Sequence, residues 1–314
     1  MNEHLARALE LAENGRGTTH PNPLVGAVVV RDGEVVGEGW HRRRGEPHAE
    51  VLALQAAGER AAGSTLYLTM EPCAHHGTTP PCTEAVLAAG VSRVVAASLD
   101  PNPEAGGGLE TLRAAGVDVE HADVFEARAQ NEAWRTWVAQ KRPFVTYKAA
   151  MTLDGRLTIP GERWISGEES RRLVHELRAG SDAVGVGMGT VDADRPRLDA
   201  RDVGAVQQPR RLAFGRGPLP DDSELELRAG PLPGELDALA REGIQSLLLE
   251  GGPRIAAAFF REGMLDKLLV FVAPKLAGAG PRLFEGELPV ARLSRFTSRP
   301  VGEDVLLTAY VNEP

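Results

Sequence analysis

The distribution of apolar residues over the first 143 residues predicts a layered α/β unit. Met1–Gly17 places Leu5, Ala8, Leu9 and Ala12 on one face, which is typical of an amphipathic helix. The β-branched run 25–30 and the segment 35–40 flank an Asp32-Gly33 turn signal, which predicts a hairpin. Helices and strands then alternate, with helices expected over 47–57, 83–89, 109–115 and 124–140, and strands over 65–69, 93–98 and from 117.

The remaining sequence predicts a second α/β unit. Strands are expected over 144–150, 182–186, 210–214, 246–249, 268–272 and 305–311, and helices over 168–179, 236–242 and 254–262. The stretch 216–234 is rich in Pro and Gly, which favours a surface loop. Lys141-Arg142-Pro143 ends the last helix of the first unit, because a proline discourages helix continuation before it. We therefore expect two domains, residues 1–143 and 144–314.

Composition and charge narrow the class of protein. A chain of 314 residues is long enough for two cores, and 35 basic against 44 acidic residues give a formal net charge of −9. An acidic chain is poorly matched to nucleic acid, so a small-molecule substrate is favoured. No stretch has the length and apolarity of a secretion signal or a membrane span, so we expect a cytoplasmic protein that is not bound to a membrane. A homo-oligomer is compatible with the sequence, which leaves the oligomeric state open.

The candidate chemistry is concentrated in two short segments of the first unit. His48-Ala49-Glu50 and the segment from Pro72 to Cys82 contain His48, Glu50 and both cysteines of the chain, Cys73 and Cys82. One imidazole and two thiolates suit zinc, and three protein ligands leave the fourth tetrahedral position for water, as in catalytic sites. Glu50 is close enough in sequence to His48 to shuttle a proton from that water to a leaving amine without itself binding the metal.

Three other interpretations of these residues remain open. The histidine and the cysteines are also compatible with ordinary helix-start and buried side chains, or with a structural zinc site that takes His75 or His76 as a fourth ligand. The pattern H-x-E followed by P-C-x-x-C is typical of zinc deaminases, but here the two cysteines are separated by eight residues. A deaminase acting on another nucleobase or on nucleic acid would share the metal site.

Longer motifs around these residues resemble one particular family of enzymes. Pro21-Asn22-Pro23-Leu24-Val25-Gly26, Gly45-Glu46-Pro47-His48-Ala49-Glu50, and Glu71-Pro72-Cys73 through Pro81-Cys82 are similar to the bifunctional riboflavin biosynthesis deaminase/reductase family, in which the long cysteine spacing is normal. The resemblance implies a cytidine-deaminase-like three-layer αβα domain with zinc ligands His48, Cys73 and Cys82 and with Glu50 as general acid/base. It also implies that Asn22, His41 and His75 contact the pyrimidine substrate.

Two positions of the first unit depart from the family pattern. Ala74 replaces a usual Ser, and Thr78 replaces a usual Lys or Arg that would face the substrate phosphate. Arg42, Arg43 and Arg44 are available to replace that charge, although a charge run is more often a solvated face.

The second unit carries weaker signals of its own. Leu249-Glu250-Gly251-Gly252-Pro253 precedes a predicted helix, and glycines there let backbone amides approach a phosphate, although a plain β-α turn has the same spacing. Lys148 through Gly155, Trp164-Ile165-Ser166, Gly189-Thr190 and Asp194 through Leu198 with Arg201 resemble the reductase half of the same family.

That resemblance implies a dihydrofolate-reductase-like α/β domain that uses NADPH. The implied NADPH contacts are Ala150, Trp164, Thr190, Asp194 and Gly252, and the implied substrate contacts are Arg178, Leu198, Arg201 and Glu250. The expected activity is zinc-dependent deamination of 2,5-diamino-6-ribosylamino-4(3H)-pyrimidinone 5′-phosphate, followed by reduction of the ribosyl side chain to ribityl with NADPH. The alternative outside this class is a non-catalytic module stabilised by zinc.

Overall fold

The computed structural model describes residues 1–76, 80–205 and 207–314, and the contacts between residues divide the chain into two compact units. The first consists of Met1–Gln140, with the terminal Pro314 grouped with it, and the second of Lys141–Glu313. Arg142 belongs to the second unit, because its guanidinium donates to both carboxylate oxygens of the buried Asp266 at 2.6 and 2.7 Å.

The first unit is built on a five-stranded sheet with the order β2-β1-β3-β4-β5. Its strands are β1 (Gly26–Arg31), β2 (Glu34–Trp40), β3 (Thr65–Leu68), β4 (Arg93–Ala96) and β5 (Asp118–His121). Its helices are α1 (Glu3–Glu13), α2 (Ala49–Ala57), α3 (Cys82–Ala88), α4 (Gly108–Ala114), α5 (Phe125–Gln130) and α6 (Glu132–Gln140). The hairpin β1–β2 is antiparallel, β1 and β3 are also antiparallel, and β3, β4 and β5 are parallel.

Alternate residues of β1 face opposite layers of helices. Ala27 and Val29 pack with α2, α3 and α4, whereas Val28 and Val30 pack with Ala8 and Leu11 of α1. This alternation follows from the two-residue period of a strand, and it produces the three layers that the family resemblance implies. The predicted buried face of α1 is confirmed, but the helix ends at Glu13 and not at Gly17.

One helix predicted for the first unit is in fact two consecutive helices. The segment 124–140 forms two helices, because Asn131 interrupts it with a buried side chain. The Asn131 amide accepts a hydrogen bond from Leu24 N at 2.8 Å and donates to Leu24 O at 2.9 Å. Its side chain therefore serves as a backbone partner for a distant loop, which helical periodicity does not reveal.

The second unit contains an eight-stranded sheet with the order β12-β13-β11-β6-β10-β7-β8-β9. Its strands are β6 (Phe144–Thr152), β7 (Ala183–Gly187), β8 (Arg210–Phe214), β9 (Glu226–Arg228), β10 (Ser246–Leu249), β11 (Lys267–Ala273), β12 (Ser294–Val301) and β13 (Asp304–Tyr310). Its helices are α7 (Glu168–Ala179), α8 (Met188–Asp194), α9 (Leu232–Arg241) and α10 (Pro253–Arg261). The strands from β11 to β9 are parallel, and β12 and β13 form an antiparallel hairpin at one edge.

The structure corrects two expectations for this unit. The predicted loop 216–234 contains β9 and the start of α9, since Leu225 and Arg228 are buried there despite the high Pro and Gly content. The edge strand β12 and the short helix α8 were missed in the sequence analysis. The strand β12 exposes six of its eight residues and so lacks the apolar alternation that predicts a strand. The helix α8 has only seven residues. Over the described ranges, no helix is both long and apolar enough to span a bilayer.

Candidate active sites

The histidine and both cysteines of the first unit converge at the carboxyl end of β3. His48 is the N-cap of α2, Cys82 is the first residue of α3, and Cys73 lies in the loop between β3 and α3. The His48 Nδ1 atom lies 3.1 Å from Cys82 Sγ and 3.7 Å from Cys73 Sγ, and all three ligand atoms lie within 4.8 Å of one another. Bond lengths of about 2.0–2.3 Å to zinc place tetrahedral ligands roughly this far apart, so the donor set and its spacing fit zinc.

Hydrogen bonds to Cys73 favour its thiolate form, which binds a cation. The backbone N–H of Cys82 donates to Cys73 Sγ at 3.3 Å, and hydrogen bonding from the Cys82 thiol lowers the pKa of Cys73 to about 4. A thiolate is the form that binds metal. Within the described residues no fourth His, Cys, Asp or Glu joins this group, and His76 lies beside Glu84 instead, at 3.4 Å. The three-ligand arrangement leaves the position that a water needs in a catalytic site.

Glu50 lies in the first turn of α2 and is almost fully buried beside the ligands. Burial raises the pKa of its carboxyl group, and the Cys82 thiol lies within its hydrogen-bonding range. Glu50 is not a member of the ligand group, so its carboxyl is available for proton transfer.

A cleft of about 330 Å³ opens over these groups. Asn22, His41 and His75 line it together with His48, Glu50 and Cys73, so the structure brings together every predicted residue of this half that it describes. Asn22 Nδ2 lies 3.1 Å from His41 Nε2, and burial lowers the pKa of His41. Thr78 lies outside the described residues.

Other cleft residues escaped the sequence analysis. They are mainly the two tryptophans of α6 and polar side chains that follow β3 and β4, and the cleft wall includes Glu71, Asp100, Asn102, Trp134 and Trp137. Burial raises the pKa of Asp100 to about 6, and Glu71 accepts the Asp100 N–H at 2.9 Å. The Asp-Pro-Asn-Pro run after β4 was the available signal, because adjacent parallel strands present their carboxyl ends at the same edge.

The predicted substrate residues of the second unit form one connected cluster. Arg178 of α7 donates to both Glu250 carboxylate oxygens at 2.6 and 3.0 Å, and Lys148 Nζ of β6 lies 3.6 Å from the same carboxylate. Arg178 also donates to Asp199 O at 3.0 Å, and Arg201 pairs with the Asp199 carboxylate at 2.5 Å. Leu198, with a φ of 55°, turns the chain into this cluster.

The cluster combines cations with a buried anion. Burial alone would raise the pKa of Glu250, but Lys148 and Arg178 outweigh it and hold that pKa below its ordinary value. Glu250 is therefore ionised near neutral pH. Two arginines within reach of Asp199 leave N–H groups suited to a phosphate monoester.

The residues predicted to contact NADPH lie on several different elements of the second unit. The Gly252 N–H, at the start of α10, donates to Thr190 Oγ1 of α8 at 3.1 Å, so these two are brought together, and Asp194 is exposed at the end of α8. Ala150 lies on β6, paired in register with Phe271. Trp164 is half exposed, with the guanidinium of Arg163 at 5.0 Å and that of Arg171 at 5.4 Å from its ring.

An αβα sandwich with a His/Cys/Cys group and a buried glutamate beside a cleft defines the class of zinc-dependent deaminases, here followed in the chain by an α/β reductase unit. The family model described as cytidine and deoxycytidylate deaminase zinc-binding region matches residues 1–98, and the RibD C-terminal domain matches residues 143–307. The riboflavin biosynthesis protein RibD of Aquifex aeolicus is 43% identical over 317 residues, which is 88% of each protein. RibD of Escherichia coli is 42% identical over 328 residues and 89% of each.

The chain is also similar to solved structures over almost its whole length. RibD of Acinetobacter baumannii, form 1, has a TM-score of 0.84 and 35% identity, and 98% of each chain is covered. A diaminohydroxyphosphoribosylaminopyrimidine deaminase/5-amino-6-(5-phosphoribosylamino)uracil reductase of Thermotoga maritima has a TM-score of 0.81 and 32% identity, also with 98% of each chain covered.

The chain belongs to the RibD family of bifunctional riboflavin biosynthesis enzymes. The expected fold class, deaminase and reductase functions, and cofactors Zn²⁺ and NADPH are thereby confirmed.

Proposed function

We propose that residues 1–143 deaminate 2,5-diamino-6-ribosylamino-4(3H)-pyrimidinone 5′-phosphate and that residues 144–314 reduce the ribosyl group of the product to ribityl. The observation that carries the first half is the three-ligand group beside the buried Glu50, at the floor of a cleft large enough for a pyrimidine. His48, Cys73 and Cys82 would hold zinc. Zinc at such a site makes water a nucleophile near neutral pH.

In this proposal Glu50 carries out the proton transfers. Glu50 takes a proton from the attacking water and delivers it to the departing amine, so that ammonia leaves as the ring carbon becomes a carbonyl. Its buried position favours the protonated carboxyl between the two transfers. Asn22, His41 and His75 would orient the ring from the cleft wall.

In the second half, the substrate residues would hold the product for hydride transfer. Arg178 and Arg201 would bind its phosphate, while Leu198 and Glu250 would position the ribosyl group. Ala150, Trp164, Thr190, Asp194 and Gly252 would bind NADPH, which supplies the hydride. The proposal places the protein in the cytoplasm and without a nucleic-acid partner, which the free thiols of Cys73 and Cys82 and the acidic net charge of −9 support.

The test uses the purified full-length chain, the diaminopyrimidine phosphate and NADPH. Ammonia release should not require NADPH, and NADPH oxidation should follow it. Glu50→Gln should retain zinc but lose about 100-fold or more in ammonia release, since general acid–base catalysis contributes about 10²–10⁴-fold. The same variant, supplied with the deaminated product, should oxidise NADPH at the normal rate.

Glu84→Gln is the matched control, because Glu84 lies in the first turn of α3 but is exposed. Unchanged ammonia release in Glu50→Gln would defeat the proposed role of Glu50 as general acid/base, whereas a wild-type protein that binds zinc but releases no ammonia would support a structural role for the metal. For the reductase, Arg201→Ala should raise KM for the deaminated product, and an unchanged KM would remove Arg201 from the substrate site.

A further inference from the structure

Asp199 places a carboxylate among the cations that are proposed to bind the substrate phosphate. One of its oxygens pairs with Arg201 at 2.5 Å, and the other pairs with Arg197 at 3.1 Å. The Asp199 side chain is 14% exposed, whereas that of Arg201 is 46% exposed. The Arg201 guanidinium therefore already has an anionic partner within the chain, and a phosphate must take its place to bind Arg201 fully.

The backbone around Asp199 is held in place by side chains from other segments. Its carbonyl oxygen accepts a hydrogen bond from Arg178 Nη1 at 3.0 Å. The next residue, Ala200, exchanges two hydrogen bonds of 2.8 Å with the Gln208 side-chain amide. The short side chain of Asp199 is therefore confined, and the long, partly exposed side chain of Arg201 is the partner that is free to move.

The carboxylate of Asp199 carries its charge at neutral pH. Burial alone would raise its pKa, but Arg201 and Arg197 outweigh it and hold that pKa below its ordinary value. A phosphate bound to both Arg178 and Arg201 would lie beside this carboxylate, because Arg178 donates to the carbonyl oxygen of Asp199 and Arg201 to its carboxylate. Like charges at such a distance repel each other, so Arg201 cannot serve both anions equally well.

We infer that the Asp199 carboxylate competes with the substrate phosphate for Arg201 and thereby lowers the affinity of the reductase unit for its phosphorylated substrate. The inference rests on the proposed role of Arg178 and Arg201 in binding that phosphate. Inorganic phosphate should bind more weakly for the same reason, because the cost applies to every phosphate. The opposite role, in which Asp199 orients Arg201 for the phosphate, predicts the opposite effect of removing the carboxylate.

Steady-state kinetics of the full-length protein with NADPH and the deaminated product test the inference. Asp199→Asn keeps the shape of the side chain and the backbone contacts but removes the charge. It should lower KM for the deaminated product about fivefold, as expected when one partly exposed ion pair no longer has to be broken, and it should change kcat less than about twofold. Inorganic phosphate should inhibit Asp199→Asn at an about fivefold lower concentration than the wild type when the ionic strength is held constant.

Asp202→Asn is the matched control. Asp202 is exposed, directly follows Arg201 and forms no ion pair with the part of the chain that the structure describes. Its substitution removes the same charge without the contact and should leave KM within about twofold of the wild type. In an Arg201→Ala background, Asp199→Asn should likewise change KM less than about twofold, because the competition acts through Arg201.

A KM that is unchanged or raised in Asp199→Asn would overturn the inference, and a raised KM would show that Asp199 orients Arg201. An equal gain in Asp202→Asn, or in the Arg201→Ala background, would also overturn it, because the loss of charge alone would then explain the gain. Asp199→Ser also lacks the charge and should reproduce the gain, so a folding defect in one variant does not decide the outcome. If Arg201→Ala by itself left KM unchanged, the proposed phosphate site would fail together with the inference, whereas the other outcomes leave that site intact.

Discussion

The substitution Glu250→Gln should destabilise the second unit strongly. Only 7% of the Glu250 side chain is exposed, and it faces Arg178, which is 14% exposed, and Lys148, which is 17% exposed. Breaking a buried pair from one side costs about 3–5 kcal/mol, because the remaining cations lose their counter-ion without regaining water. The glutamine keeps the shape and one acceptor oxygen, so we expect about 3 kcal/mol.

The dependence of this loss on pH has a definite sign. Lys148 and Arg178 hold the pKa of Glu250 below its ordinary value of 4.5, so the contribution of the carboxylate is complete above that value. It disappears as the pH falls through the lowered pKa. The difference between the wild type and Glu250→Gln should therefore be constant from about pH 5.5 to pH 8 and should shrink below about pH 4.5.

Urea denaturation followed by circular dichroism and by tryptophan fluorescence measures this difference, and Trp164 is the single tryptophan of the second unit. Glu176→Gln is the matched control, because Glu176 forms an exposed pair with Arg172 on the same helix as Arg178 and should cost less than about 0.5 kcal/mol. A loss below about 1 kcal/mol at pH 7, or one that persists undiminished at pH 3.5, would refute the reasoning.

Three further predictions concern the first unit. Asn131→Ala should cost about 2–3 kcal/mol by urea denaturation, because it leaves Leu24 N and Leu24 O unpaired in a buried position, and a loss under about 0.5 kcal/mol would contradict this. Asp100→Asn should gain stability over the wild type in the metal-free protein as the pH rises from 4 to 7. The wild-type pKa of about 6 against 3.8 means that ionisation in the folded state costs at most about 3 kcal/mol, and a gain independent of pH would count against it. Removal of zinc with a chelator should abolish ammonia release and lower the melting temperature of the first unit, with recovery on adding Zn²⁺, whereas NADPH binding should not change.

Local patterns in the sequence predicted most of the elements and most of the chemistry of the deaminase site. The apolar face of α1 and the β-branched run of β1 predicted a helix and a strand of a layered α/β unit, whereas the arrangement in three layers was implied by the family resemblance. His48, Glu50, Cys73 and Cys82 were identified because their side chains offer little chemistry other than metal binding and proton transfer at such spacing.

Tertiary structure alone decided the features that depend on partners distant in the chain. Asn131 breaks a helix because its amide pairs with Leu24, 107 residues away, and no helical pattern contains that information. Asp100 joins the cleft because the sheet order brings β4 beside β3, and the α6 tryptophans join it because they pack with Met70, just after β3. The return of β10 between β6 and β7 sets the ends of β10, β7 and β8 side by side, which the order of the strands along the chain does not reveal. Sequence periodicity determines which face of an element is buried. The contacts between elements depend on the order of the strands in each sheet and on which helices pack against it, and these involve residues far apart in the chain.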